Sequence, residues 1–275
     1  MSSISKTFQK LKTRSEGALI GYITAGDPSP KLTPKIAEAL VKGGVDILEL
    51  GLPFSDPIAD GPTIQAASLR ALKAGTTPKT VLEAAKQIKD KHKVPVVIMT
   101  YYNPVFRTGV REFLCAAKAS SVDGIIVPDL PVEEASDYRN AAKALNIDTI
   151  FLTAPSTSNK RLQKIVTSSS GFLYLISHFG VTGTKTTVEK STLGLVKRVL
   201  PFTTGQIPLA VGFGISKPEH VESLILAGVD GVVIGSAFVN IIANNVDDPA
   251  KICAGVEDLA VKFKTATTCC AHEGS

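Results

Sequence analysis

Eight short apolar runs, each followed by an amphipathic stretch, constrain this chain more than any other feature. The runs occupy 18–24 (ALIGYIT), 45–50 (VDILEL), 94–99 (VPVVIM), 123–128 (DGIIVP), 147–152 (IDTIFL), 171–176 (GFLYLI), 207–212 (IPLAVG) and 230–234 (DGVVI). They are rich in Val, Ile and Leu and too short for helices, as strands buried on both faces are. Stretches such as "KIAEALVKGG", "REFLCAAKAS" and "PEHVESLILAG" carry helical spacing between them. Eight such units in one chain predict an α/β fold, a single-domain (β/α)8 barrel of the TIM type. No linker or low-complexity segment divides residues 1–275, and the polar end from about 266 reads as a flexible tail. An open doubly wound sheet would place GxGxxG after its first strand. Here the first run leads into "TAGDPSP" instead. A helix is expected before the first strand, with Lys10, Lys12 and Arg14 on its solvated face.

Barrels of this kind carry their chemistry at the C-terminal ends of the strands. That rule selects Glu49, Tyr101, Tyr102, Asp129, His178 and the glycine-bearing ends "GFG" and "GS". Gly214 and Gly235 let backbone approach an anion without a Cβ in the way. Ser236 opens the helix-like run "SAFVNIIANN", where free N–H groups and the helix dipole favour negative charge. Gly183, in "GVTG" after the sixth run, adds a further N–H. Two glycine-bearing ends on the last two strands favour a phosphate site over mere tight turns.

Side chains alternate along a strand, so Val45, Ile47 and Glu49 are expected on one face. If that face is the barrel interior, Glu49 lies at the mouth among apolar neighbours, where desolvation raises a carboxyl pKa. Pro53, Pro57 and Pro62 restrict the loop that follows, Gly61 permits a sharp turn, and such a loop can hold Asp56 or Asp60 over the mouth. Two carboxylates in different surroundings can divide acid and base roles. Tyr22, Tyr101, Tyr174, Phe54 and Phe213 fall at or near strand ends and together can line a site for a flat aromatic group.

Other classes are disfavoured. The 30 basic and 25 acidic residues leave a mild, scattered charge of +5, which argues against nucleic acid. No run approaches a membrane span, and the N-terminus lacks the apolar core of a secretory signal. The four cysteines form no CxxC pair and no histidine cluster joins them, so reduced thiols in the cytoplasm and no metal are expected. His92, His220 and His272 read as surface residues.

The stretch "LELGLPFSDPIADGPTIQAAS" closely resembles the signature of the tryptophan synthase alpha subunit family. The likeness continues through "YITAGDPS", "YYNPVF", "VPDLPVEE", "GVTG", "VGFGIS" and "GSAFV", in order and spacing, over nearly the whole chain. That resemblance implies retro-aldol cleavage of indole-3-glycerol phosphate to indole and glyceraldehyde 3-phosphate. It implies Glu49 as the group that moves the proton at indole C3 and Asp60 as the partner of the indole N–H. It implies substrate contacts from Tyr22, Tyr101, Tyr174, Thr182 and Phe213, and phosphate contacts from Gly183, Gly214, Gly235 and Ser236. Pro53 and Asp56 match the family's surface for a β subunit in an α2β2 complex. The alpha chain needs no cofactor of its own; pyridoxal phosphate is expected on the β subunit. His178 stands where many members carry Arg, and Tyr22 where many carry Phe. A stand-alone lyase releasing free indole, and a non-catalytic phosphate-binding barrel that regulates a partner, are the competing readings. The loop after the sixth run is long, polar and glycine-bearing, and is expected to act as a lid.

Overall fold

The computed structural model describes residues 1–177, 185–212 and 214–268, with the backbone alone for 185–190. The apolar runs form nine strand segments: β1 (Ala18–Thr24), β2 (Ile47–Gly51), β3 (Val96–Met99), β4 (Gly124–Ile126), β5 (Asp148–Ile150), β6 (Leu152–Thr153), β7 (Leu173–Ile176), β8 (Leu209–Gly212) and β9 (Gly231–Ile234). All pairings are parallel, in the order β5-β4-β3-β2-β1-β9-β8-β7-β6. The fifth expected run is two segments because it changes partners. β5 pairs with β4, β6 pairs with β7, and the Tyr174 N–H donates to the Phe151 carbonyl between them. The sheet therefore closes into a barrel through residue 151.

The helices are α1 (Ser3–Lys12), α2 (Thr33–Lys42), α3 (Pro62–Lys73), α4 (Pro78–Lys91), α5 (Tyr102–Thr108), α6 (Val110–Ala119), α7 (Ser136–Ala144), α8 (Asn159–Ser168), α9 (Lys185–Thr203), α10 (Pro218–Leu226), α11 (Ser236–Asn244) and α12 (Pro249–Ala266). Strand alternation sorts the apolar side chains into two cores. Leu48, Ile98, Ile125, Leu175 and Val211 face outward against helices such as α2, α6 and α12. Ile20, Ile47, Val97, Ile126, Ile150, Tyr174 and Val233 fill the interior. The expected N-terminal helix is present, and its stripe of Ile4, Phe8 and Leu11 joins the interior core. Ile4 reaches Gly124 and Phe8 reaches Gly231, the first residues of β4 and β9, so α1 stops the floor and leaves chemistry to the opposite end. Lys10, Lys12 and Arg14 are exposed, as expected.

Aspartates at strand entrances tie successive units together. Asp46 accepts the Leu19 N–H, Asp123 that of Val96, and Asp230 that of Leu209, each at 2.8 Å. Lys264 and Lys89 lie 2.9 Å from Asp46 and Asp123 and are mostly shielded from water. Asp46→Ala should therefore lower the unfolding free energy by roughly 1.5–3 kcal/mol for the lost charged hydrogen bond alone, seen as a lower urea midpoint. An unchanged midpoint in a urea titration would show that water replaces the carboxylate at no cost.

Several expectations need correction. β2 starts at Ile47, so Val45 precedes the alternation and packs outward, against the position of a Gly21 Cβ. The chain does not loosen at 266: α12 runs through Ala266, which is buried, and the buried Thr267 accepts the Gly17 N–H at 3.0 Å. His92 is half-buried, not a surface residue: it caps the C-terminus of α4, and its Nε2 is enclosed. His220 is half-buried as well. Of the loop expected over 179–192, residues 185–192 are helical and begin α9, while 179–184 and His178 lie outside the described residues. Cys269, Cys270 and His272 also lie outside them.

Candidate active site

β2 carries Glu49 into the mouth of the barrel, in register between Tyr22 of β1 and Val97 of β3. Glu49 is 1% exposed and, among the described residues, neither carboxylate oxygen has a hydrogen-bond partner. Burial without donors disfavours the anion. Desolvation first, and the charge of Asp60 second, push the Glu49 carboxyl from 4.5 up to about 8.

Asp60 reaches the same place from the loop after β2. Its position is set from two sides. The Tyr101 hydroxyl accepts the Ala59 N–H at 3.0 Å, and Phe54 stacks on the Tyr101 ring at 5.3 Å. The Gln65 amide, one turn into α3, donates to the Asp60 carbonyl at 2.8 Å. Asp60 is half-buried, and desolvation pushes its carboxyl from 3.8 up to about 6, with a hydrogen bond from Tyr101 opposing the rise. The two acids are thus set apart: near neutral pH Glu49 holds its proton and Asp60 has lost its own.

A cavity of about 100 Å³ opens above Glu49, walled by Tyr22, Asp60, Ile64, Met99, Tyr174 and Val233. Its far wall is Gly214, Gly235 and Ser236. A second cavity of about 240 Å³ shares Asp60, Met99 and Tyr174 with the first and continues over Pro128 and Leu152. The rings of Tyr22 and Tyr174 fit because their neighbours have no side chain. A Cβ on Gly51 would stand 2.2 Å from the Tyr22 hydroxyl, and one on Gly212 2.4 Å from the Tyr174 hydroxyl. Gly212 thus makes room for an aromatic ring, a packing role that the "GFG" spacing does not reveal. The Tyr22 hydroxyl bonds Thr24 Oγ1 at 3.2 Å. Tyr101 lies beside this space rather than on its wall and acts through the Asp60 loop.

The anion end follows from α11. Gly235 is its N-cap and has no side chain to cap the first-turn N–H groups, a setting that favours an anion beside the exposed Ser236. Gly214 holds φ +76, the left-handed region that glycine adopts without strain. The structure thus brings together Glu49, Asp60, Tyr22, Tyr174, Gly214, Gly235 and Ser236. Thr182, Gly183 and Phe213 fall outside the described residues. Ile64, Met99 and Val233 line the same space and were not singled out from the sequence. Met99 had a signal, since it follows interior-facing Val97 by two residues.

On the rim, Asp56 is exposed while Pro53 is buried within the chain's own fold. The exposed apolar surface there belongs to Ile58, 84% exposed, and to Phe106 on α5, 68% exposed. Among the described residues no group of three or more His, Cys, Asp or Glu is placed to hold a metal, and no helix is long and apolar enough to cross a membrane.

Comparison with known proteins decides which of many barrels this is. The tryptophan synthase alpha chain family matches residues 8–268. The chain belongs to the tryptophan synthase alpha chain family. A tryptophan synthase alpha chain from Methanosarcina barkeri is 48% identical over 264 residues, covering 96% of this chain and 98% of the relative. One from Arabidopsis thaliana is 44% identical over 242 residues, covering 88% and 87%. Among solved structures, an alpha chain from Legionella pneumophila superposes with a TM-score of 0.89 at 33% identity, over 99% of each chain. A chain from the tryptophan synthase a2b2 complex of Pyrococcus furiosus gives 0.81 at 41% identity, over 90% of this chain and 97% of that one. With the alpha chain family established, the fold expectation stands as made.

Proposed function

We propose that this alpha chain cleaves indole-3-glycerol phosphate to indole and glyceraldehyde 3-phosphate, with Glu49 and Asp60 as its two working acids. The observation that carries the reading is the Glu49 carboxyl, buried without a partner among the described residues and poised near pH 8, beside an Asp60 poised near 6. The protonated Glu49 gives its proton to indole C3. Asp60, as the anion, accepts the indole N–H and stabilises the positive charge that develops on the ring. Glu49, now a carboxylate, takes the proton of the side-chain hydroxyl next to C3. The C3–carbon bond breaks, its electron pair restores the indole, and the hydroxyl carbon becomes the aldehyde. One proton leaves Glu49 and one returns, so the chain ends as it began. The indole lies against Tyr22 and Tyr174, and the phosphate sits at Gly214, Gly235 and Ser236, with Gly183 joining them. Thr182 and Phe213 complete the substrate contacts. No step calls for a metal or cofactor.

The partner is a β subunit in an α2β2 complex, in the cytoplasm, and pyridoxal phosphate belongs to that partner. The exposed Ile58, two residues from Asp56, and the exposed Phe106 on α5 support a docking face on the rim. Product analysis with indole-3-glycerol phosphate tests the reading. Indole and glyceraldehyde 3-phosphate should appear in equal amounts, faster when a matched β subunit is added. Full speed without β, and no co-elution on a sizing column, would favour the stand-alone lyase. Ser236→Ala should weaken substrate binding by roughly 1.5–3 kcal/mol at most, because backbone donors remain. A far larger loss in KM would place the anion on the Ser236 hydroxyl rather than on the helix N–H groups.

A further inference from the structure

Away from the two acids, Asp27, in the loop after β1, is paired with the partly exposed Arg70 on α3. Arg70 Nε and Nη2 donate to the two Asp27 oxygens at 2.8 and 2.7 Å, and the Asp27 side chain is fully enclosed. Such a two-pronged contact fixes direction as well as distance. A second contact lies beside it. Thr76, just past α3, fills the space where a Gly26 side chain would stand, and the Gly26 N–H is itself bonded to Thr33 Oγ1 at 2.8 Å. The C-terminal half of α3 is therefore seated on the end of β1. The other end of α3 carries the site: Ile64 lines the cavity, and Gln65 grips the Asp60 carbonyl at 2.8 Å. Between Gln65 and Arg70 runs uninterrupted helix, which transmits position without slack.

We infer that Asp27 and Arg70 are positioning residues for the reaction, fixing the helix that in turn fixes Asp60. The inference rests on the proposed role of Asp60. It explains why an ion pair is kept at a place where a stable fold does not need one, since well-packed apolar residues commonly replace buried pairs without loss of stability. Small displacements of a reacting group are enough to slow turnover by up to about 10²-fold.

The test compares three full-length variants with the wild type, each with the β subunit present: Arg70→Lys, the double variant Asp27→Leu/Arg70→Met, and Asp60→Asn as reference. The readouts are melting temperature, affinity for inorganic phosphate, and kcat against KM. The double variant should melt within a few degrees of wild type and bind phosphate normally, because the phosphate wall, Gly214, Gly235 and Ser236, follows β8 and β9 rather than α3. Its kcat should nonetheless fall by about 10-fold or more. Arg70→Lys keeps the charge but loses the fork, and should show a smaller kcat loss at unchanged melting temperature. A folded double variant with wild-type kcat would overturn the inference and leave the pair as a fold element. Should the double variant fail to fold, Arg70→Lys decides alone, and full kcat there overturns it equally. If Asp60→Asn itself turns over normally, it is the reading of Asp60 that fails, a result distinct from the other two.

Discussion

Glu49→Gln should abolish most turnover and at the same time make the free chain more stable above neutral pH. The loss follows from the mechanism: the amide has no proton to give to C3 and cannot take one from the hydroxyl. Removing one acid–base group costs about 10²–10⁴-fold in rate. The stability gain follows from burial. In the folded chain the Glu49 carboxyl titrates at about 8, against 4.5 when unfolded. Below 4.5 both states hold the proton and nothing is lost. As pH rises from 4.5 to 8 the unfolded chain ionises first, so Glu49 draws the equilibrium toward unfolding. The full effect, reached above pH 8, amounts to a few kcal/mol, at about 1.4 kcal/mol per pKa unit. Gln carries no charge and removes that slope. Urea titrations at pH 5.5 and 8.5 should therefore separate the two proteins mainly at the higher pH. An inactive variant with no stability gain at pH 8.5 would mean that the carboxylate is better solvated than its surroundings imply.

Asp60→Asn should lose activity on a similar scale, for a different reason. The step it serves places positive charge on the indole ring, and a neutral amide stabilises that charge far less than an anion does. Removal of one electrostatic contact of this kind costs about 10²–10³-fold in kcat. The fold should not be weakened by the change and should gain some stability above about pH 6, because Asp60 is half-buried on a loop and its folded-state carboxyl is raised to about 6. Substrate affinity should change less than kcat, since most binding contacts come from the rings and the anion wall. Normal turnover in Asp60→Asn would reduce Asp60 to a residue that shapes its loop.

Much of this was legible before any coordinates. Short runs of Val, Ile and Leu between helical stretches read as strands covered on both faces, and eight such units with no GxGxxG after the first point to the barrel. Glu49 follows as well, because alternation from Ile47 puts it inside. What spacing cannot carry is direction in loops and contacts across long separations. Tyr101 sits at a strand end yet holds the Asp60 loop instead of facing the cavity. Gly212 has the spacing of an anion loop but makes room for Tyr174 on the neighbouring strand, a contact across 38 residues that only the β7–β8 pairing brings about. Asp27 and Arg70 lie 43 residues apart, and no local pattern pairs them. Pro53 reads as rim surface until the loop folds it inward. The break at Phe151 comes from a change of partner strands, which the continuous run IDTIFL conceals.

The pH dependence of kcat/KM for cleavage of indole-3-glycerol phosphate tests the assignment of the two acids most directly, because it reports the ionisations of the free enzyme. Cleavage needs Asp60 ionised and Glu49 protonated, so the rate should rise through about 6 and fall again through about 8. The substrate's own phosphate also titrates near pH ~6, which leaves the alkaline limb as the deciding one. A fall centred near 8 in the wild type is the predicted result; a rate that stays level or climbs to pH ~9.5 would contradict a proton held and delivered by Glu49.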